Sequence, residues 1–427
     1  MNTEYEIRRF EPAAPGEPGY PEAVAWDQAV SFGFHEERST DERTQESIAR
    51  SRVDHAVYTG AYQTGEPAPH SLGNEVPVAT FGTQPNTLNI GFGRLLDAHL
   101  ITGVTVRTSH RRRGLLRRMM TEDLALAKSN GIAIAALTAS EASIYGRFGF
   151  GVATSEQSIT VDTGAKFRLD HLPVGTVEVA DPKVLLELAP QVFAQLHAEQ
   201  PGSVGRQEFY RQLAAGTSSR EGGTDAKVKA ALHYAADGTV DGYVSYRFGG
   251  WDKTPATMEI VDLVTATPAA YLELWQYLAA IDLVERVTWD EAPVDNPLTW
   301  ALTDARCVKA SNPRDLLWLR ILNVRQALEA RHYAADGTVV LQVTDGLGFT
   351  AGTFSLEVEG GTARVTESAA APDLELDIAA LSSIYLGAVN PVSLAAAGKV
   401  LEHTSDAAFL AAKLFTLERP AHCLTHF

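Results

Sequence analysis

The chain has 427 residues, which is too long for one ordinary hydrophobic core and predicts about two to four domains. It carries 36 Lys and Arg against 53 Asp and Glu, a formal net charge of −17, which argues against nucleic acid as its main partner. Hydrophobic residues make up 45% and charged residues 21%, the composition of a folded rather than a disordered protein.

No apolar run reaches the roughly 18 residues of a membrane span, so we expect none. The first residues contain no apolar signal-peptide core, so no secretory signal is expected either. Only two cysteines are present, Cys307 and Cys423, which excludes a disulfide framework and predicts a cytoplasmic location.

The first predicted unit alternates strands with helices. Frequent Pro, Gly and Glu predict a loosely ordered lead-in over about the first 25 residues. Helical and strand periodicities then predict elements in chain order. These are helices at 23–34 and 41–51, strands at 55–62, 78–83 and 95–107, a helix at 113–128, a buried strand at 132–137, a short helix and a closing strand at 158–161.

A second unit is predicted over about 167–312, with helices at 183–197, 207–214 and 268–284 and strands at 227–234, 240–248 and 258–264. Ser311-Asn312-Pro313 is typical of a linker. Beyond it we expect a helix at 316–331, hairpin strands, a strand at 373–377 and two helices rich in Ala and Leu. The octapeptide HYAADGTV begins at His233 and again at His332, and both copies are predicted to be hairpin corners.

The stretch 103–118 contains the pattern most informative about chemistry. A β-branched strand ends near Val106, and Gly114 precedes an apolar-periodic helix, so its backbone can approach a ligand closely. Unpaired amides at a helix N-terminus favour a phosphate or pyrophosphate. Positive charge is added by six arginines, Arg107, Arg111, Arg112, Arg113, Arg117 and Arg118. The alternative is a surface basic run for nucleic-acid binding or nuclear targeting.

These residues carry a family resemblance. Arg111-x-x-Gly114-x-Leu116 after a strand resembles the acetyl-CoA motif of the GCN5-related N-acetyltransferases, although that family usually has Gly or Ala at the position of Leu116. Downstream, Tyr145-x-x-Phe148-Gly149-Phe150 resembles the second signature of the superfamily. Segments 381–387 and 397–400 look like part of a sterol-carrier-protein-like domain. With these segments and the two motifs together, the chain resembles the Eis (enhanced intracellular survival) family.

The resemblance implies an α/β (α+β) fold with tandem GCN5-related N-acetyltransferase folds followed by a sterol-carrier-protein-like domain. We expect a catalytic domain at 1–165, a degenerate second acetyltransferase-like domain at 166–313 and the sterol-carrier-like domain at 314–427. The crossover 265–268 of the second domain contains neither Gly nor Arg, so we expect it to bind no coenzyme A. The resemblance further implies a homohexamer.

Acetyl-CoA is the implied co-substrate, and no metal is expected, because a thioester is already activated. The resemblance places pantetheine along the strand end and the pyrophosphate at the helix N-terminus, with further contacts after the second strand. The implied residues are Val104, Thr105, Val106, Arg112, Arg113, Gly114, Leu115, Leu116, Arg117, Ser140 and Glu141. Val106 would also polarise the thioester carbonyl with its backbone N–H.

Two residues match catalytic positions of the family. Tyr145 matches the general acid, since a phenol is protonated at neutral pH and can donate to the departing thiolate. Phe427 supplies the terminal carboxylate, which matches the base, and His426 stands where relatives often have an acidic residue. A core tyrosine and a frayed tail are the respective alternatives.

The acceptor implied by the resemblance is a primary amine of a cationic molecule such as an aminoglycoside, acetylated at several sites. Aromatic candidates for its pocket are Trp26, Phe32, Phe34 and His35, although such spacing is also typical of a core. Protein lysines or polyamines would suit the same chemistry. A non-catalytic sensor of coenzyme A or lipid is the alternative from another class. His422-Cys423-x-x-His426 lacks the further ligands of a structural zinc site.

Overall fold

A computed structural model describes residues 4–427 of the chain. Its strands are, in chain order, β1 (Tyr5–Phe10), β2 (Val57–Gln63), β3 (Ala79–Asn89), β4 (Leu95–Val106), β5 (Ile134–Thr138), β6 (Gly151–Val152), β7 (Ser155–Asp162), β8 (Thr176–Ala180), β9 (Lys229–Tyr234), β10 (Val240–Phe248), β11 (Thr257–Thr265), β12 (Arg286–Pro293), β13 (Val308–Asp315), β14 (Leu317–Ile321), β15 (Gly337–Thr344), β16 (Gly352–Glu359), β17 (Thr362–Glu367), β18 (Leu374–Asp377) and β19 (Val400–Glu402).

The α-helices are α1 (Tyr20–Gly33), α2 (Asp41–Val53), α3 (Leu115–Ser129), α4 (Ala142–Tyr145), α5 (Leu185–Glu199), α6 (Glu208–Ala214), α7 (Pro268–Ala279), α8 (Pro297–Ala301), α9 (Val324–Ala330), α10 (Ile378–Ile384), α11 (Pro391–Ala396) and α12 (Ala407–Phe415). Across residues 4–427, none of the helices has both the length and the hydrophobicity required to cross a membrane.

The strands form three mixed sheets, which confirms the predicted α/β class. The first has the order β1-β2-β3-β4-β5-β14-β6, the second β13-β7-β12-β11-β10-β9-β8 and the third β17-β16-β15-β18-β19. Neighbours are antiparallel except for β4 with β5, β11 with β12 and β15 with β18. Each parallel pair needs a crossover, and α3 and α7 lie in the connections of the first two.

The first two sheets exchange strands in a way that chain order does not predict. The strand expected to close the first unit near 158–161 is β7, which pairs with β12 and β13 in the second sheet. In return, β14 pairs with β5 and β6 in the first sheet. The second unit is therefore inserted between two strands of the first sheet. The domain bounds 1–165, 166–313 and 314–427 stay a prediction.

Three local predictions are wrong. The helix expected at 316–331 is instead β14 followed by α9, because the run from Leu316 to Leu322 is buried throughout and has no readable period. Ser311-Asn312-Pro313 lies in an irregular part of β13 rather than in a linker. The lead-in contains β1, a charged edge strand paired with β2, and α1 begins within it.

The two copies of HYAADGTV adopt different structures. The copy from His233 forms the β9–β10 hairpin, as predicted. The copy from His332 connects α9 to β15, so it is not a hairpin corner. Flanking segments decide the structure of this octapeptide.

The central strand β5 shows how the layers stack. Its side chains are buried on both faces, which explains its continuous apolar sequence. Ala135 and Leu137 pack in the core that contains α3, whereas Ile134 and Ala136 belong to a core shared with the third sheet. The first sheet is thus covered by α3 on one face and by the C-terminal region on the other.

Candidate active site

The strands β4 and β5 separate at one end and open a cleft between them. They pair only from Ala98 to Ile101 on β4, although β4 continues to Val106. On its other side β4 stays paired with β3 up to Val106. The Arg107 N–H donates to the Val78 carbonyl on that side at 2.8 Å. Because strand amides alternate in direction, the Val106 N–H points toward the cleft.

The bend in β4 depends on Gly103 and on Trp26 behind it. Gly103 has a φ of +59°, and a Cβ there would lie 2.9 Å from the Trp26 ring. The Thr80 hydroxyl is 2.8 Å from the Gly103 carbonyl and 2.6 Å from the Thr105 hydroxyl, which fixes the bulged segment. The strand is thereby held away from β5.

Gly114 begins α3 and exposes its first amides. It has a φ of +78°, and no side chain caps the helix. The first helical bond runs from the Arg118 N–H to the Gly114 carbonyl at 2.9 Å. The amides of residues 115–117 precede that bond, so they have no partner within the helix and suit an anion.

The arginines of this loop divide into two groups. Arg107 donates to the carbonyls of Val76 and Pro77, and Arg113 donates to the Tyr5 hydroxyl at 2.9 Å. Arg118 pairs with Glu122 on the surface of α3. Within residues 4–427, no carboxylate pairs with the three remaining arginines, Arg111, Arg112 and Arg117. Those three charges remain available to a bound phosphate.

A cavity of about 910 Å³ runs from this loop to the end of β5. All the residues predicted to hold acetyl-CoA line it: Val104, Thr105, Val106, Arg112, Arg113, Gly114, Leu115, Leu116, Arg117, Ser140 and Glu141. Of the predicted acceptor residues, Phe32, Phe34 and His35 line the same cavity.

Trp26, which was predicted to line the acceptor pocket, does not line this cavity and is a core residue instead. Its side chain is 5% exposed and stacks on Tyr58 with ring centres 3.7 Å apart. Its indole N–H donates to the Thr59 carbonyl at 2.9 Å. The inward face of α1 therefore packs against the sheet, and only the end of the helix reaches the cleft.

Tyr145 ends α4 and closes the inner end of the cavity. Its side chain is 6% exposed and contacts Phe150 edge to face. Burial raises the pKa of Tyr145 above that of a free phenol, and the Ser140 hydroxyl partly opposes this. The phenol is therefore a proton donor at neutral pH.

A second cavity of about 300 Å³ joins Tyr145 to the chain terminus. It shares Phe34, Val104, Ser140 and Tyr145 with the larger cavity, and Phe427 lies at its far side. The Thr138 hydroxyl donates to a Phe427 carboxylate oxygen at 2.5 Å and accepts from the Phe427 N–H at 3.2 Å. The terminus is thus fixed at the end of β5.

The second unit holds the last residues of the chain. The Tyr210 hydroxyl accepts from the His426 N–H at 2.6 Å and donates to the His426 carbonyl at 3.1 Å. Arg206 donates to the Leu424 carbonyl at 3.2 Å, while two hydrogen bonds join it to Asp262. Side chains of α6 and its preceding loop therefore position the tail.

Sequence reasoning missed the carboxylates of the smaller cavity, Glu156 and Asp315. Glu156 is fully buried and pairs with Arg314 at 2.7 Å and with His426 at 3.2 Å. Burial alone would raise the pKa of Glu156, but hydrogen bonding and charge from His426 and Arg314 outweigh it and lower that pKa. These residues lie where the chain passes between the sheets, and nothing in the sequence marks that crossing.

Within the described residues, no cluster of three or more His, Cys, Asp or Glu has the arrangement of a metal site. The pair His422 and Cys423 is enclosed by protein: His422 is 8% exposed and Cys423 is 0% exposed. Both belong to the segment that carries the terminus between the sheets.

Three family models match successive parts of the chain. An acetyltransferase (GNAT) domain matches residues 22–153, a second acetyltransferase (GNAT) domain matches 202–321, and a sterol carrier protein domain matches 324–423. The N-acetyltransferase Eis of Mycobacterium tuberculosis is 37% identical over 350 residues, covering 77% of this chain and 83% of its own. The chain belongs to the Eis family of N-acetyltransferases.

Other relatives agree with this assignment. An uncharacterized N-acetyltransferase of Streptomyces griseus is 36% identical over 420 residues, covering 94% of this chain and 96% of its own. The crystal structure of Eis1 from Mycobacterium abscessus superimposes with a TM-score of 0.81 at 26% identity, covering 99% of this chain and all of that one. A GCN5-related N-acetyltransferase from Anabaena variabilis shares the fold, with a TM-score of 0.79 at 20% identity.

The protein is therefore an N-acetyltransferase with tandem acetyltransferase domains and a C-terminal sterol-carrier-like domain, as predicted. GNAT acetyltransferases use acetyl-CoA, and the cleft of this Eis family member suits that molecule. Unpaired helix amides and three available arginines match a pyrophosphate, and a strand with outward amides matches pantetheine.

Proposed function

We propose that the protein transfers acetyl directly from acetyl-CoA to primary amines of a cationic acceptor, such as an aminoglycoside, at several sites. The observation that carries this proposal is that Tyr145 and Phe427 line one small cavity that opens into the cleft of the arginine loop. A proton donor for sulfur and an acceptor for the amine thus face the end of the proposed acetyl-CoA site.

The donor would lie along β4. Val104, Thr105 and Val106 would pair with pantetheine, and the loop from Arg112 to Arg117 would hold the pyrophosphate. The Val106 N–H points into the cleft, so it would donate to the thioester oxygen as negative charge develops there. Ser140 and Glu141, past the end of β5, would contact the cofactor on the other side.

The amine nitrogen would then attack the carbonyl carbon in a ternary complex. As the C–S bond breaks, Tyr145 would donate its proton to the sulfur, and the Phe427 carboxylate would accept a proton from the nitrogen. Burial supports the first role by keeping the phenol protonated. The Thr138 contacts support the second by fixing one carboxylate oxygen.

A cationic acceptor is supported by charge and aromatic surface. The Glu156, Asp315 and Phe427 carboxylates line the smaller cavity beside Arg314. Phe32 and Phe34 are 58% and 43% exposed at the entrance, where aromatic faces can stabilise a cation. Polyamines and protein lysines share this chemistry and are the alternative acceptors.

The second domain is proposed to bind no coenzyme A. Its α7 begins with Pro268, and the Thr267 hydroxyl accepts from the Ala270 N–H at 3.1 Å. The Thr267 side chain therefore caps the N-terminus of α7, whereas the corresponding amides at the N-terminus of α3 are free. A homohexamer and a cytoplasmic location remain predictions, and sedimentation analysis tests the first.

Release of free thiol from acetyl-CoA tests the proposal, using protein with a native C-terminus and three acceptor classes. Release with several aminoglycosides, and more than one acetyl group per molecule by mass spectrometry, is the expected result. Release with lysine peptides or polyamines alone would assign the alternative acceptors. Coenzyme A binding without thiol release from any amine would favour a sensor.

A further inference from the structure

His426 precedes the chain terminus and lines the same cavity as Tyr145 and Phe427. Its Nε2 lies 3.2 Å from Glu156 Oε2 and 3.8 Å from Glu291 Oε1. Its side chain is 30% exposed, so the ring is accessible from the cavity although the backbone is clamped by Tyr210. The imidazole is thus held in place beside the proposed acceptor site.

Glu156 determines which ring nitrogen is available. The Arg314 guanidinium 2.7 Å away favours the ionised Glu156 carboxylate, which accepts the Nε2–H of a neutral imidazole. In that tautomer Nδ1 carries the lone pair, and within the described chain it makes no hydrogen bond. A buried carboxylate that orients an imidazole is the arrangement by which proteins make histidine a general base.

Acetyl transfer to an ammonium requires two protons to leave the nitrogen. One leaves before attack, because only the neutral amine is nucleophilic, and one leaves as the C–N bond forms and the C–S bond breaks. Tyr145 returns one proton to sulfur, so one proton is released to solvent for each acetyl group. A single terminal carboxylate is a weak base for an ammonium.

We propose that His426, oriented by Glu156, is a second catalytic base that takes a proton from the acceptor amine at Nδ1. This role rests on the acetyl transfer proposed above. Of the two protons that leave the acceptor nitrogen, the imidazole takes one and the Phe427 carboxylate takes the other. The imidazolium that forms is stabilised by the adjacent Glu156 carboxylate and then releases its proton to solvent. The proton taken by the Phe427 carboxylate restores the Tyr145 phenol, which has given its own proton to sulfur.

The charged and titratable groups around the ring come from four elements and one loop. They are Glu156 on β7, Glu291 on β12, Arg314 on β13, Tyr210 on α6 and Arg220, which pairs with Glu291. Glu156 and Glu291 each pair with an arginine, and Asp315 and the Phe427 carboxylate line the same cavity.

The test compares His426→Gln with the wild type and with His403→Gln, a variant of an exposed histidine in the third domain. The glutamine side chain keeps an N–H donor for Glu156 but accepts no proton. We expect kcat to fall at least tenfold, in line with the roughly 10²–10⁴-fold contribution of a general base, with KM for acetyl-CoA unchanged. His403→Gln should match the wild type.

A second variant separates chemistry from placement of the tail. His426→Ala leaves space for free imidazole, which should restore kcat in proportion to its concentration. A fall in kcat in the first variant together with rescue in the second supports the proposal. Wild-type kcat in His426→Gln, or a loss that free imidazole does not rescue in His426→Ala, overturns it. Failure of the wild type to release thiol with any amine would refute the proposed function instead.

Discussion

Thr138 and Phe427 are 289 positions apart in the chain, yet two hydrogen bonds join them at the site. Tyr145 ends the short helix α4 that follows β5 in the chain. The end of β5 therefore positions both the proposed acid and the proposed base. The proposed proton transfers by Tyr145 and Phe427 thus depend on the position of the C-terminal end of β5. Thr138 and Glu156 take part although no motif contains them.

At the residue scale, we expect Tyr145→Phe to reduce kcat about 10²-fold or more, because the departing thiolate loses its proton donor. KM for acetyl-CoA should change little, since ring packing is kept. Steady-state kinetics with varied acetyl-CoA measures both constants. Tyr234→Phe, in the second domain, is the control, and unchanged turnover in Tyr145→Phe would remove the phenol as the acid.

At the scale of elements, the two ends of α3 have different proposed roles. Its first turn is proposed to bind the cofactor phosphates, whereas its C-terminal end serves only to end the helix. Gly114 and Gly131 flank it with φ values of +78° and +82°, and a Cβ would meet nothing within 4 Å at either position. The two glycines therefore differ in location rather than in strain or space. Only Gly114 lies beside the exposed amides and available arginines.

Gly114→Ala should weaken acetyl-CoA binding, because strain of roughly 1 kcal/mol will shift the loop that holds the phosphates. Gly131→Ala should lose a similar free energy of unfolding and bind acetyl-CoA normally. Calorimetric titration and thermal unfolding of both variants measure the two quantities. Equal binding by the two variants would contradict a phosphate site at the start of α3.

The helix α6 positions the tail through one hydroxyl, so Tyr210→Phe should lower kcat while KM for acetyl-CoA stays constant. The variant leaves the His426 N–H and carbonyl without their partner, at a cost of about 1–3 kcal/mol. Tyr277→Phe, which removes a hydroxyl contact to Tyr246 in the same domain, is the matched control. A fall in both variants would indicate general destabilisation of the domain.

At the scale of the molecule, the candidate active site lies where the first two sheets exchange strands. The chain leaves the first sheet after β6, returns with β14, and finally sends its last residues back between both acetyltransferase domains. The third domain packs so closely that a Cβ on Gly151 would overlap the Ala379 carbonyl oxygen. Residues of the first two sheets and their helices hold the terminal segment, and the third domain packs against the first sheet.

Residues appended after Phe427 should reduce kcat strongly without unfolding the protein, because the carboxylate would move out of a cavity of about 300 Å³. The same tag at the N-terminus is the control. Thermal unfolding should give equal midpoints for the two proteins. Full activity of the C-terminally tagged form would refute the terminal carboxylate as a base.

The sequence by itself determined the family, and it predicted the anion-binding loop and the acid, because these lie in short contiguous segments whose function depends on local backbone geometry. Gly114, the arginines and Tyr145 are examples. Only the tertiary structure decided that Trp26 is a core residue, that β7 and β14 exchange sheets and that Glu156 faces His426. These outcomes depend on which distant segments come together, and the hydrophobic period of a single segment does not record its partner.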